Sequence, residues 1–193
     1  MLKITDIAQN AMRTARWSGG TTSEIFLYPR TASYAERNFI FRISTARVEL
    51  DESDFTPLAG FERLIAAVDG ELLLLHDEDG AERRVLLEPR RSVHRFDGGT
   101  KTRSIGRARD LNLILKKGAA SGDMRFVETG EAVLLPMQGG DFALVYPLGG
   151  GAARLYEADG DETLSVTADG ACALFTVRVG MDERHCEVNK NEC

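Results

Sequence analysis

The sequence predicts an all-β protein, and three observations carry that expectation. First, its 19 glycines fall repeatedly into Asp-Gly and Gly-Gly pairs: Gly19-Gly20, Asp69-Gly70, Asp79-Gly80, Asp97-Gly98-Gly99, Gly139-Gly140, Gly149-Gly150-Gly151, Asp159-Gly160 and Asp169-Gly170. Asp-Gly tolerates positive φ at both central positions of a tight turn and is a strong hairpin signal. Second, the segments between these turns are short and rich in β-branched, Leu and aromatic residues, the spacing of a sandwich or barrel. Third, a faint internal repeat of about eighty residues aligns Gly70 with Gly150, Leu75 with Leu155, Asp79 with Asp159 and Gly80 with Gly160. Two β lobes of jelly-roll type account for such a repeat.

Taken in order, strands are expected over 22–28, 38–50, 63–68, 71–76, 82–87, 92–96, 100–105 and 110–116. A second set is expected over 124–128, 131–136, 141–148, 152–157, 162–167 and 171–179. The segment FERLIAAV (61–68) also has the look of a short helix. Pro57 and Gly60 before it and Asp69-Gly70 after it leave little room for one, so it is read as a strand. The lobes would join near Gly118–Asp123, giving a first lobe over 1–118 with the candidate pocket and a smaller one over 119–180. Residues 181–193, MDERHCEVNKNEC, are polar and aperiodic and read as a flexible tail.

The chain has 193 residues, 43% of them hydrophobic, enough for one domain or two small lobes. A net charge of −6 disfavours a polyanionic partner, so no nucleic acid is expected. One basic stretch stands against that average, with Arg83, Arg84, Arg90, Arg91, Arg95, Lys101, Arg103, Arg107 and Arg109 close in sequence. Few aromatics interleave with it, and a solvated hairpin face is the expectation. The longest apolar runs, Leu64–Val68 and Leu72–Leu75, are too short to span a bilayer, and MLKITDIAQN lacks the apolar core of a signal peptide. Three cysteines, Cys172, Cys186 and Cys193, give neither a disulfide framework nor zinc spacing, which fits a reducing cytoplasm.

The candidate site lies where strand alternation places polar groups among apolar ones. The stretch Trp17-Ser18-Gly19-Gly20-Thr21-Thr22-Ser23-Glu24-Ile25 combines the sole tryptophan, a Gly pair, hydroxyls and a carboxylate, types that line small-ligand pockets. Alternation puts Thr22, Glu24, Phe26 and Tyr28 on one face. It sets Ile40, Arg42 and Ser44 opposite Phe39, Phe41 and Ile43, and Asn112 beside Ile114 opposite Leu111, Leu113 and Leu115. Arg63 opens a further apolar strand. Buried, these polar groups need partners. Two arrangements stay open: Glu24 pairs with Arg42 or Arg63 on an outward face, or an arginine is left to grip a ligand carboxylate in bidentate fashion.

Other chemistry is thin. His76 and His94 could meet across a barrel, but surface or hairpin roles are expected for both, and His185 lies in the tail. No His-x-His pair, nucleophile elbow, phosphate loop or dinucleotide fingerprint is present, so neither a metal nor another cofactor is expected. Cys172, in an apolar strand, reads as an inert core thiol.

With these residues in view, the chain resembles the HutD/Ves family of bacterial bicupins. The matching pieces come in order: WSGGTTSEI (17–25), FIFRISTARV (39–48), SDFTPLAGFERLI (53–65), the Gly70 turn, RFDGG (95–99) and TRSIGRARDLNLIL (102–115). They cover roughly the first 118 residues; beyond them only the strand rhythm is similar. The matching motif positions are Trp17, Thr22, Glu24, Arg42, Ser44, Arg63, Asp110 and Asn112. Ser18-Gly19-Gly20 stands where many relatives carry a longer segment containing Asn. The resemblance implies a bicupin of two double-stranded β-helix barrels with no obligatory metal and no established activity. It implies a regulatory or sensing role in histidine utilisation. The ligand expected is a small carboxylate-bearing metabolite such as urocanate or a formylated or formimino-glutamate, bound by Trp17, Thr22, Glu24, Arg42, Ser44, Arg63 and Asn112. The alternative is a metal-independent enzyme with Glu24 as general acid/base. An exposed barrel edge offers a route to a homodimer.

Overall fold

A computed structural model describes residues 1–180. Leu2–Ile7 (β1), Arg13–Trp17 (β2) and Gly20–Tyr28 (β3) open the chain. Phe41–Val48 (β4), Glu52–Phe55 (β5), Phe61–Gly70 (β6) and Leu72–Glu78 (β7) follow, then Ala81–Leu87 (β8), His94–Asp97 (β9), Lys101–Ile105 (β10) and Ala108–Lys116 (β11). The last strands are Ala120–Val127 (β12), Ala132–Met137 (β13), Asp141–Pro147 (β14), Ala153–Ala158 (β15), Glu162–Thr167 (β16) and Cys172–Val179 (β17). The expected tail, 181–193, lies outside the described residues.

The strands form a six-stranded sheet (β2-β3-β4-β11-β6-β9), a four-stranded sheet (β5-β10-β7-β8), a five-stranded sheet (β1-β15-β14-β17-β12) and a two-stranded ribbon (β13-β16). All pairings are antiparallel, as short turns allow. The Asp79-Gly80 turn between β7 and β8 has φ of 54° and 85°, the positive pair that Asp-Gly supplies cheaply. FERLIAAV is indeed strand, the first eight residues of β6.

The core sits in layers. The largest cluster joins the six- and five-stranded sheets, with Phe26, Tyr28, Phe41, Ile43, Leu111 and Leu113 against Met124, Phe142, Leu144, Phe175 and Val177. Phe142 packs tilted against Phe26, Tyr28 and Phe41, with centroids 6.1, 4.9 and 5.0 Å away. A second cluster, with Val48, Ile65, Ala67, Leu72, Leu74 and Leu87, lies between the six- and four-stranded sheets. Two more fill the space between the five-stranded sheet and the ribbon.

Three expectations are corrected. Strands precede residue 22: β1 pairs along its length with β15, Leu2 opposite Ala158 and Ile7 opposite Ala153. The first residues therefore join the sheet otherwise built from residues beyond 118. Only Ile7 of β1 is buried, so this edge strand has almost no apolar pattern to betray it. Strand β5, also unforeseen, is just four residues long. The third correction concerns the eighty-residue repeat, which holds only in part. The order β4-β11-β6-β9 recurs as β12-β17-β14-β15, so β6 matches β14 and the Gly70 and Gly150 turns follow equivalent strands. The β7–β8 hairpin has no counterpart, and β15 takes the place of β9. The aligned pairs Leu75/Leu155, Asp79/Asp159 and Gly80/Gly160 are thus not equivalent. Where the basic stretch runs, its arginines meet acids: Arg83–Glu78, Arg84–Glu82, Arg91–Glu88, Arg107–Asp51 and Arg109–Asp69 are all ion pairs.

Candidate functional site

The inner face of the six-stranded sheet carries polar residues in register. Across it run three rows: Leu27–Arg42–Ile114–Arg63–Phe96, Glu24–Ser44–Asn112–Ile65–His94 and Thr22–Ala46–Asp110–Ala67. Side chains alternate between faces, so the same strands that send Phe41, Ile43, Leu111 and Leu113 outward must send Arg42, Ser44, Asp110 and Asn112 inward. Strand β3 departs from simple alternation. A bulge between Glu24 and Phe26 shifts the register by one. The extra residue reverses every later side chain, so Phe26 and Tyr28 face the other sheet pair instead of sharing the face of Thr22 and Glu24.

These rows wall a cavity of about 310 Å³, at the small end of the ~300–1,000 Å³ typical of ligand pockets. Of the residues singled out from sequence, Trp17, Thr22, Arg42, Ser44, Arg63 and Asn112 line it together. Glu24 does not; it stands behind Arg42 and accepts from Arg42 Nε over 3.0 Å. Asp110 lines the cavity, and Tyr34, Asp54, Phe55 and Thr56 close it from the β3–β4 loop and from β5. Asp110, a matching motif position left out of the expected ligand contacts, shares the inward face of Asn112 by alternation, two residues before it. Tyr34 lies in a loop without period, and Phe55 in the unforeseen β5.

Arg42 is held by both Glu24 and Ser44. Besides Glu24 it donates through Nη1 to Ser44 Oγ over 3.3 Å, and its guanidinium lies 4.3 Å from the Tyr34 ring centroid. In Arg63, Nη2 donates to Asn112 Oδ1 over 3.0 Å, and the guanidinium rests against Phe55 and Phe96 at 4.9 and 5.5 Å. Its buried Nε has no hydrogen-bond partner, and neither has the buried Trp17 Nε1. The Trp17 ring packs on Gly19 so closely that an added Cβ there would meet it at 2.2 Å. Asn112 turns its amide between two charges: Oδ1 accepts from Arg63 while Nδ2 donates to Asp110 Oδ1. Asp110 is 1% exposed, and burial pushes its pKa up to about 7 against the opposing pull of Arg63 and Asn112. Burial likewise lowers the pKa of Arg63.

His76 does lie in the β7–β8 hairpin, but neither ring has a surface role: His76 is buried and His94 half-buried. Row position brings His94 inward from β9, and β7 brings His76 to meet it, Nε2 to Nε2 at 2.9 Å. His76 is wholly buried and lies 4.7 Å from the Phe96 ring. Thr102 Oγ1 donates to the Thr100 carbonyl over 3.1 Å, so it accepts from His76 Nδ1 at 2.8 Å. This leaves His76 Nε2 as acceptor and His94 Nε2 as donor. Burial lowers both pKa values, that of His94 to about 4 with further lowering by His76. Two neutral, hydrogen-bonded imidazoles make an internal tie. Among the described residues no cluster of three or more His, Cys, Asp or Glu is placed to hold a metal ion.

A family model described as HutD matches residues 9–185. The chain belongs to the HutD family. Among solved structures, HutD from Pseudomonas fluorescens SBW25, determined in a formate condition, has 23% identity and a TM-score of 0.73, covering 92% of this chain and 100% of that one. PA5104, a conserved protein of unknown function from Pseudomonas aeruginosa PAO1, has 20% identity and a TM-score of 0.70, covering 92% and 98%. The pirin YhhW from Escherichia coli, in complex with nickel(II), has 11% identity and a TM-score of 0.61, covering 93% and 99%. A cupin 2 conserved barrel domain protein from Leptotrichia buccalis is similar at 11% identity and a TM-score of 0.54, covering 91% and 96%. At these identities the likeness is one of fold, and the HutD chain has a cupin-type jelly-roll. No curated protein matched. No helix of the described residues is long and apolar enough to cross a membrane.

Proposed function

We propose that this HutD protein is a binding protein, and that its cavity takes a small carboxylate-bearing metabolite. One observation carries the reading: two buried donors, Arg63 Nε and Trp17 Nε1, have no protein partner and belong to walls of the same cavity. An unpaired buried donor costs about 1–3 kcal/mol. A ligand that brings acceptor oxygens removes that cost, and beside an arginine the strongest acceptor is a carboxylate. Family membership supports a regulatory or sensing role in histidine catabolism, with urocanate or a formylated or formimino-glutamate as ligand. Cysteine usage supports a cytoplasmic setting. The recurring strand order β4-β11-β6-β9 and β12-β17-β14-β15 supports a bicupin of two barrels, the cavity belonging to the first. Glu24, held by Arg42 and outside the cavity wall, gives the acid/base alternative less support.

The test is calorimetry with urocanate, N-formylglutamate and formiminoglutamate on the intact chain and on Arg63→Lys. The lysine keeps the charge but loses the guanidinium fork. Binding that weakens at least tenfold in the variant supports the reading. Absence of binding by every carboxylate tried, or full affinity in the variant, refutes it.

A further inference from the structure

The charges around the cavity leave one acid without a directly bonded cation. Arg42 and Glu24 form a pair on β4 and β3. Arg63 on β6 and Asp110 on β11 remain, joined only through the amide of Asn112. Asp110 has no cross-strand cation, because its register neighbours are Ala46 and Ala67. The other charged groups on the cavity wall, Arg16 on β2 and Asp54 on β5, are exposed, and Arg16 is held by Glu49 at 3.1 Å. Tyr34 faces Arg42 from the β3–β4 loop.

Ionised Asp110 is thus the counter-charge of Arg63, and a ligand carboxylate at Arg63 replaces it in that role. Two carboxylates in one small buried cavity repel unless they share a proton. We infer that this HutD protein binds its carboxylate ligand together with one proton, taken up by Asp110, so that an Asp110 carboxylic acid donates to the bound anion. The inference rests on the carboxylate reading of the cavity. In the step, a solvent proton adds to the Asp110 oxygen not engaged by Asn112, and the new O–H becomes a hydrogen-bond donor to the ligand. No other bond is made or broken. The Asp110 pKa of about 7 agrees with this, since burial has already brought the group close to neutrality before any anion arrives. Asp110 is then a specificity residue: it favours a ligand end that accepts and disfavours one that can only donate.

Formate, the smallest carboxylate, is the probe, with N-formylglutamate as a larger one. Calorimetry of the intact chain at pH 8, in phosphate and in Tris, measures protons taken up through the different ionisation heats of the buffers. The expected uptake approaches one proton per bound anion at pH 8 and falls towards none at pH 5. Affinity weakens about tenfold for each pH unit above 8, as for any binding that needs one proton. In Asp110→Asn the amide donates permanently, so binding occurs without proton uptake and with equal affinity at pH 6 and 8. Binding to the intact chain at pH 8 without proton uptake overturns the inference while leaving the carboxylate site standing. Uptake that persists in Asp110→Asn assigns the proton to another group and also overturns it. If neither anion binds, the carboxylate reading itself fails, and the inference fails with it.

Discussion

The six- and four-stranded sheets and the five-stranded sheet with its ribbon repeat one strand order but enclose different interiors. Both large sheets present their outer faces to the same apolar cluster, where Phe41 and Leu113 on one side meet Phe142 and Phe175 on the other. Their inner faces diverge. The first carries Arg42, Ser44, Arg63, Asp110 and Asn112 around a cavity. The second carries Val145, Cys172 and Leu174 at one end and Ala143 and Tyr156 beside them. Val133, Leu135, Met137 and Leu164 of the ribbon strands close over these. Its polar side chains gather towards the other end, where Asp123 and Thr176 border an open depression of about 290 Å³ and Arg178 grips Asp141 through two hydrogen bonds of 3.0 and 2.9 Å. The fold therefore resides in the shared outer faces, and the capacity to hold a ligand resides in inner-face positions that the fold leaves free to vary.

The largest expected effect breaks what the two regions share. Phe175→Ala removes a fully buried ring from the common cluster and should cost about 3–5 kcal/mol. Chemical denaturation should show that loss in the whole transition, since neither region keeps its outer face covered. Next comes a change confined to the first region. Arg42→Ala leaves Glu24 without its partner in a mostly buried setting. It should cost about 2–3 kcal/mol, below the range for fully buried pairs because Glu24 keeps some contact with water. Arg42→Lys should recover part of the stability, because the charge returns without the fork. Equal stability of Arg42→Ala and the parent chain would show that the pair contributes nothing.

Much of this division was legible in the sequence. The turn pairs and alternating segments fixed the class, and alternation separated Leu111 and Leu113 from Asn112, and Phe41 from Arg42. Six of the seven residues named from these patterns and the family resemblance together line one cavity. What escaped did so for local reasons. The bulge at Ile25 has no compositional mark, so Phe26 and Tyr28 were placed on the wrong face. Strand β1 owes its position to pairing with a partner some 150 residues away, which no local pattern encodes. His76 and His94 sit in strands whose spacing gives no hint that their ring nitrogens touch.

A third substitution set tests whether a hollow interior costs stability. Arg63→Leu, Asp110→Ala and Asn112→Leu together remove three of the five polar groups named on the inner face of the first region. Replacing buried charges by well-packed apolar groups is neutral or stabilising by roughly 1–4 kcal/mol, and a gain of this size raises Tm by about 2–16 °C for a chain this long. The expected outcome is a higher Tm, read by calorimetry, with all carboxylate binding gone. A fall in Tm would show that the polar network stabilises the fold in its own right, beyond any role in binding.

The smallest effect concerns acid, and here the two regions should differ in kind. The first region holds buried groups that titrate in one pH window with opposite sign. His76 and His94 are held below the ordinary histidine value of 6.5, His94 at about 4. The unfolded chain therefore binds more protons, and their share of stability is lost as pH falls from 6.5 towards 4. Asp110 is held above its ordinary value of 3.8, at about 7. The folded chain binds the proton more readily, so its share is gained as pH falls from 7 towards 3.8 and lost again on the way up. In the second region the buried Cys172 thiol is pushed up by burial, away from this window. The intact chain should thus show a shallower dependence between pH 7 and 4.5 than either set of groups gives alone. Asp110→Asn removes the compensating group and should expose a stability that falls with acid. His76→Leu with His94→Leu removes the other and should expose one that rises. Urea midpoints measured every half pH unit would decide it: parallel profiles for all three chains would mean that these buried groups do not set the response.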